Sequence, residues 1–157
     1  MSLLIPFRHQ NQTPALPSGY GLHADRAPTA MELHRLLAAS GEPLRSEERW
    51  QRALARSTWQ LSLWRDDDTL VGFVRATSDQ ALNANLWDLA ADRQDPHHEL
   101  LLQVLVHTAL NRLRRDLSGC SISLAAPPEA LAVLRRCGFV IDPGGIRAMG
   151  RWITPPP

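Results

Sequence analysis

The stretch from Asp95 to Arg115 constrains the fold more than any other part of the chain. Asp95-Pro96 has the form of a helix start, an N-cap carboxylate followed by proline at the first helical position. From Leu100 to Leu113 apolar residues fall on most sides of the helix rather than along one stripe. Such a helix has to be covered, and in a chain of 157 residues a sheet is the natural cover. Arg112, Arg114 and Arg115 close it at the end where the helix dipole favours cations.

Strand and helix patterns on either side supply that cover. Tyr20 to His23 reads as a short strand. Thr29 caps a first helix, with Met31, Leu33, Leu36 and Leu37 at helical spacing and Gly41 as its stop. Ser46 opens a second helix over Arg49 to Arg56, its inner face carrying Trp50, Ala53 and Leu54. Trp59 to Trp64 alternates as a strand, Asp66-Asp67-Asp68 turns the chain, and Leu70 to Ala76 returns. Leu82 to Ala91 is a further strand. Beyond the long helix come a strand at Cys120 to Ala126 and a short helix from Pro128 to Cys137, ended by Gly138. Two last strands, Phe139 to Ile141 and Ile146 to Ile153, flank a Pro143-Gly-Gly145 turn.

A hairpin run followed by β-α-β-α predicts a mixed α/β domain. Its sheet is expected to be mostly antiparallel, six- to seven-stranded, with about four helices on its two faces. The domain spans residues 19–153. Residues 1–18, with Pro6, Pro14 and Pro17, read as an irregular arm, and Thr154-Pro-Pro-Pro157 as a disordered tail.

Composition narrows the function classes. Net charge is +1, which argues against broad affinity for nucleic acid. No apolar run approaches the roughly 18 residues of a membrane span. Met1 to Phe7 lacks the basic lead and long apolar stretch of a signal peptide, so a cytoplasmic placement is expected. All 17 basic residues are arginine, so no side chain here forms a lysine Schiff base. Cys120 and Cys137 form no CxxC pair and share no zinc-ligand spacing with histidine. His97 and His98 are adjacent and project about 100° apart on a helix, so they make no metal pair.

Four segments, in order, resemble the GNAT superfamily of acyl-coenzyme A N-acyltransferases. Leu70-Val-Gly-Phe-Val-Arg-Ala-Thr-Ser-Asp79 is similar to the third strand of a plastid and cyanobacterial GNAT group. Leu86-Trp-Asp-Leu-Ala-Ala91 is similar to the fourth strand, and the long helix follows it. Ala130-Leu-Ala-Val-Leu-Arg-Arg-Cys-Gly-Phe139 is similar to the superfamily's closing segment. The likeness covers residues 19–153 and implies the GNAT fold.

It also implies a chemistry. An amine acceptor, small molecule or protein, attacks the thioester of acetyl-coenzyme A with help from a base, oxyanion donors and an acid for the sulfur. By family position the backbone of Leu89, Ala90 and Ala91 pairs with the pantetheine arm. The family holds the diphosphate on a loop of the form R/Q-x-x-G-x-G/A at the start of the long helix. Here one alignment puts Arg93, Pro96 and His98 at those positions, and a shift of one puts Gln94, His97 and Glu99 there. Neither contains glycine, and Pro96 lacks an amide proton. Arg93, His97 and His98 supply side-chain donors instead, while Asp95 and Glu99 add negative charge.

The family's acidic tyrosine falls on Leu134 and its asparagine on Pro127. Asp88 and Asp79 are the candidate bases. Simple alternation places Asn85, Trp87 and Leu89 on one face of the strand and Asp88 on the other; Asp79 reads equally as a turn cap. Arg75 is expected to pair with a nearby carboxylate, and Trp87 to sit in the core or line the acceptor pocket. Two readings follow. One is an acetyl-coenzyme A-dependent N-acetyltransferase; the other is a catalytically inactive GNAT-derived binding or regulatory module with weak or no coenzyme A binding. An exposed edge strand at residues 146–153 would also offer a surface for a homodimer.

Overall fold

The computed structural model describes residues 12–153. The signal-peptide reading of residues 1–7, most of the N-terminal arm and the tail from Thr154 lie outside them. Five strands, β1 (Tyr20–His23), β2 (Trp59–Arg65), β3 (Leu70–Ser78), β4 (Asn83–Ala91) and β5 (Ser121–Leu124), form one sheet in sequence order. Successive pairs are antiparallel except β4 and β5, which run parallel. The helices are α1 (Ala30–Leu37), α2 (Glu47–Arg56), α3 (His98–Asp116) and α4 (Leu131–Arg136).

Both faces of the sheet are covered. On one, α3 buries Leu101, Leu102, Leu105, Val106 and Ala109 against Leu61, Leu63, Val74 and Leu86. The long apolar helix thus has the sheet its composition demanded. On the other, Leu33, Leu36 and Leu37 of α1 and Trp50 of α2 meet Trp64, Leu70 and Phe73. Thr29 and Glu32 form a reciprocal capping box at the start of α1, and the Ser46 side chain caps α2. Met31 does not join the inner face of α1; it is exposed, and Ala30 is buried in that core instead.

Gly72 sets how close α3 comes to the sheet. A Cβ there would lie 3.0 Å from the Cδ1 atoms of both Leu105 and Leu63. Gly72→Val is therefore expected to destabilise the domain by about 1–3 kcal/mol through overpacking, read from the urea midpoint.

Two sequence expectations need correction. The strands expected at 139–141 and 146–153 do not form, so the sheet has five strands among the described residues rather than six or seven. Phe139 packs on the core, but positive φ at Asp142, Gly144 and Gly145 then curls the chain into a 3-10 turn. In residues 146–153 the apolar side chains Ile146, Met149 and Trp152 recur every third position. A strand needs every second one to build a buried face, and all three are exposed. The edge on which a homodimer was expected is thereby absent.

The second correction concerns Asp95. It caps a turn ahead of α3 rather than α3 itself, which begins at His98 with His97 at the N-cap position. Among the described residues no helix is long and apolar enough to cross a membrane. Among those same described residues no group of three or more His, Cys, Asp or Glu could hold a metal ion.

Candidate active site

Strands β4 and β5 part company halfway. Their register runs from Asn83 opposite Ser121 to Leu86 opposite Leu124 and stops there. After Leu124 the chain passes Ala125 and Ala126 to Pro127 and Pro128, which offer no amide protons to a ladder. From Trp87 to Ala91, β4 is paired only on its β3 side. A backbone edge inside the sheet is left open.

A bulge sits at the point of parting. Phe73 faces Ala90 and Arg75 faces Trp87, so Val74 alone opposes both Asp88 and Leu89. Asp88 takes φ of 58°, a left-handed conformation that Asp tolerates better than most residues. The extra residue overturns the simple alternation expected for this strand. Leu89 turns into the α3-side core with Leu86, while Trp87 and Asp88 open together onto a cavity of about 500 Å³ beneath α2.

Asp88 and Arg75 form an ion pair at 2.6 Å between Oδ2 and Nε. Both side chains are mostly buried. Asp88 Oδ1 accepts no hydrogen bond among the described residues. The Trp87 indole donates to Thr77 Oγ1 at 2.7 Å, so this ring lines the cavity rather than the core.

Asp79 lies elsewhere. Its Oδ1 accepts the backbone amides of Asn83, Ala81 and Leu82 at 2.8–2.9 Å. Those three bonds, Asn83 foremost, bring its carboxyl down to about 2. Asn83 and Asp88 stand five positions apart on β4, about 16 Å along a strand. Asp79 is a turn cap and a poor proton acceptor. Its stabilising effect is fully present above the unfolded value near 4 and disappears as pH falls to about 2. The stability gap between wild type and Asp79→Asn, from urea unfolding, should therefore be constant above about pH 4 and shrink below it.

At the mouth of α3 the loop satisfies much of itself. Buried Asp95 accepts the Tyr20 hydroxyl at 3.0–3.1 Å and the His97 amide at 2.9 Å, with an Arg65 guanidinium nitrogen 3.6 Å away. Burial, then the bond to Asp95, raises the Tyr20 hydroxyl above its ordinary value, so it stays a donor. The amides of Gln94, Asp95 and His98 are taken by Asp92 Oδ1, Asp92 O and Asp95 O. His98 Nδ1 lies 3.1 Å from Asp92 O, and the His97 ring stands edge-on to Tyr20. Among the described residues, the amides of Glu99 and Leu100 at the start of α3 have no protein partner. Arg93 reaches across to Glu129, beyond β5, in a two-pronged ion pair at 3.1–3.2 Å. A groove of about 640 Å³ runs past Arg93, Gln94, Arg35 and Arg65.

Over 122 residues the chain is 34% identical to the uncharacterized N-acetyltransferase ycf52 of Porphyra purpurea, covering 75% of this chain and 68% of that protein. The chain belongs to the GNAT N-acetyltransferases. It is also 33% identical over 141 residues to serotonin N-acetyltransferase 2, chloroplastic, of Oryza sativa subsp. japonica, covering 82% of this chain and 66% of that one. The chain thus spans about two thirds of the length of these curated relatives. A probable acetyltransferase of Staphylococcus aureus shares the fold with a TM-score of 0.70 at 18% identity, over 86% of this chain and 98% of that chain. No profile of a known protein family matches the chain.

Leu134 and Pro127, which the resemblance aligns with the family's tyrosine and asparagine, both sit in the framework. Leu134 is buried in the α3-side core and donates nothing. Pro127 precedes the 3-10 turn that leads into α4. The Tyr20–Asp95–Arg65 cluster is not legible in the sequence because its members lie 75 and 30 residues apart; the lone tyrosine is the only hint.

Proposed function

We propose that this chain transfers an acetyl group from acetyl-coenzyme A to a primary amine at the bulge where β4 leaves β5. The observation that carries the reading is the coincidence of three features at that point. The backbone edge of Leu89, Ala90 and Ala91 is open toward β5. The Asp88 carboxylate has an unengaged oxygen. A cavity able to hold an acceptor opens on both Trp87 and Asp88.

The donor fits in part through residues on the page. The open β4 edge suits the amide-rich pantetheine arm by strand-like pairing. The Glu99 and Leu100 amides, at the positive end of α3, suit a diphosphate. Gln94, His97 and His98 contribute side chains only, since their amides are engaged.

The acceptor nitrogen attacks the thioester carbonyl, forming the C–N bond as the C–S bond breaks. Asp88, directly or through water, takes the proton the nitrogen sheds. A bulge amide near Leu89 polarises the carbonyl. The sulfur leaves as thiolate, which a thiol with a pKa of about 8.5 allows without a dedicated acid. Leu134 is therefore compatible with turnover, though a slower one.

A specific observation favours a second reading, a binding module without turnover: protein oxygens occupy the amides of Gln94, Asp95, His97 and His98. Melting curves with millimolar coenzyme A, followed by thiol release across an amine panel, separate the two. The transfer reading expects a rise of a few degrees, about 2–5 °C, and amine-dependent thiol release. A rise without release means binding without catalysis, and no rise with no release favours the module that has lost the donor.

A further inference from the structure

The cavity under α2 carries a charge pattern that the transfer reading does not need. Arg49, Arg52 and Arg56 recur at positions i, i+3 and i+7, so they lie on one face of α2. That face lines the cavity, and Arg45 and Arg75 line it too. Only Glu42 and Asp88 oppose them from its walls. Five guanidinium groups against two carboxylates leave three positive charges in a chain whose whole net charge is +1.

The excess is not neutralised nearby. Arg75 is committed to Asp88 and Arg45 to Glu42. Arg52 holds Glu48 only at 3.9 Å, with both side chains well exposed. Glu47 is turned away, accepting the Ala30 amide and the Gln51 side chain. Arg49 and Arg56 have no carboxylate within 4.0 Å among the described residues. Guanidinium forks match carboxylate and phosphate oxygens two at a time, and a concave basic surface concentrates anions.

Resting on the transfer reading, we propose that the acceptor is a small amine that also carries an anionic group, a carboxylate or a phosphate. Asp88, at the sheet end of the cavity, receives the amine, and the Arg49–Arg52–Arg56 stripe receives the anion. The stripe spans about 10 Å of helix, so it reaches acceptors of more than one length. A purely cationic acceptor, such as a lysine in a basic peptide or a simple arylalkylamine, meets net repulsion in the same cavity.

Calorimetric titration of the full chain with phosphoethanolamine, β-alanine and ethanolamine reads the site without turnover. At least one anionic probe is expected to bind saturably and ethanolamine not to, the two anionic arms telling phosphate from carboxylate. Arg49→Ala/Arg56→Ala, two exposed positions whose loss leaves the core intact, should weaken that binding about tenfold or more. Arg114→Ala, the same kind of charge removal at the far end of α3, should not. With acetyl-coenzyme A present, kcat/KM for the bound probe should exceed that for ethanolamine about tenfold, and the double variant should bring the ratio toward one. Equal binding of ethanolamine, anion binding that survives the double substitution, or no saturable binding of either anionic probe overturns the proposal. Arginine-dependent binding with no thiol release keeps the anion site and sinks the transfer reading alone.

Discussion

Asp88→Asn lowers kcat/KM for thiol release by about 10²-fold or more, the usual contribution of a positioned general base. The loss falls mainly on kcat, because the open β4 edge that receives the donor is backbone and survives the change. The same substitution releases Arg75 from its 2.6 Å partner. A control therefore belongs beside it: Arg75→Gln breaks the ion pair while keeping the carboxylate. If Asp88 acts as the base, Arg75→Gln retains most of kcat, because the carboxylate that takes the proton is still present. Equal collapse of both variants would mean that the pair serves only to hold the bulge. Full activity in Asp88→Asn removes Asp88 from the chemistry.

The second large effect is on stability. Asp95→Ala is expected to destabilise the domain by about 2–4 kcal/mol, the cost of leaving a part-buried hydroxyl and a part-buried amide without an acceptor. The substitution strands the Tyr20 hydroxyl and the His97 amide and deprives Arg65 of a partner. Tyr20→Phe removes a single donor and should cost about 1 kcal/mol. Urea unfolding of both variants and of the double variant measures the coupling. A loss below about 1 kcal/mol for Asp95→Ala, the range of an ordinary exposed cap, would show that the cluster does not hold the loop.

Much of the framework could be read from the chain before any coordinates. The α3 pattern, the β2–β3 hairpin around its aspartate turn and the caps at Thr29 and Ser46 are local signals, and local signals suffice where packing agrees with them. The site was less legible for reasons that can be located. No glycine or proline marks the bulge in Asn83–Ala91; only an acidic residue inside the apolar run from Leu86 to Ala91 hints at it. Strict alternation then misassigned Leu89, because one extra residue flips every side chain after it. The start of α3 was misplaced by two residues because Asp95-Pro96 serves a turn as well as it serves a helix. The C-terminal strands failed because apolar content was read without its period.

The bridge from Arg93 to Glu129 has a last consequence for how such a cleft works. It ties the loop leaving β4 to the turn following β5, so the two lips of the opening are fastened to each other. Arg93 is half exposed there, and a couple of that kind holds with no more than about 1 kcal/mol. Thermal energy undoes such a clasp many times a second, and ordinary salt loosens it further. The entrance is therefore shut in appearance and unbarred in practice, and ionic strength sets how often it stands ajar.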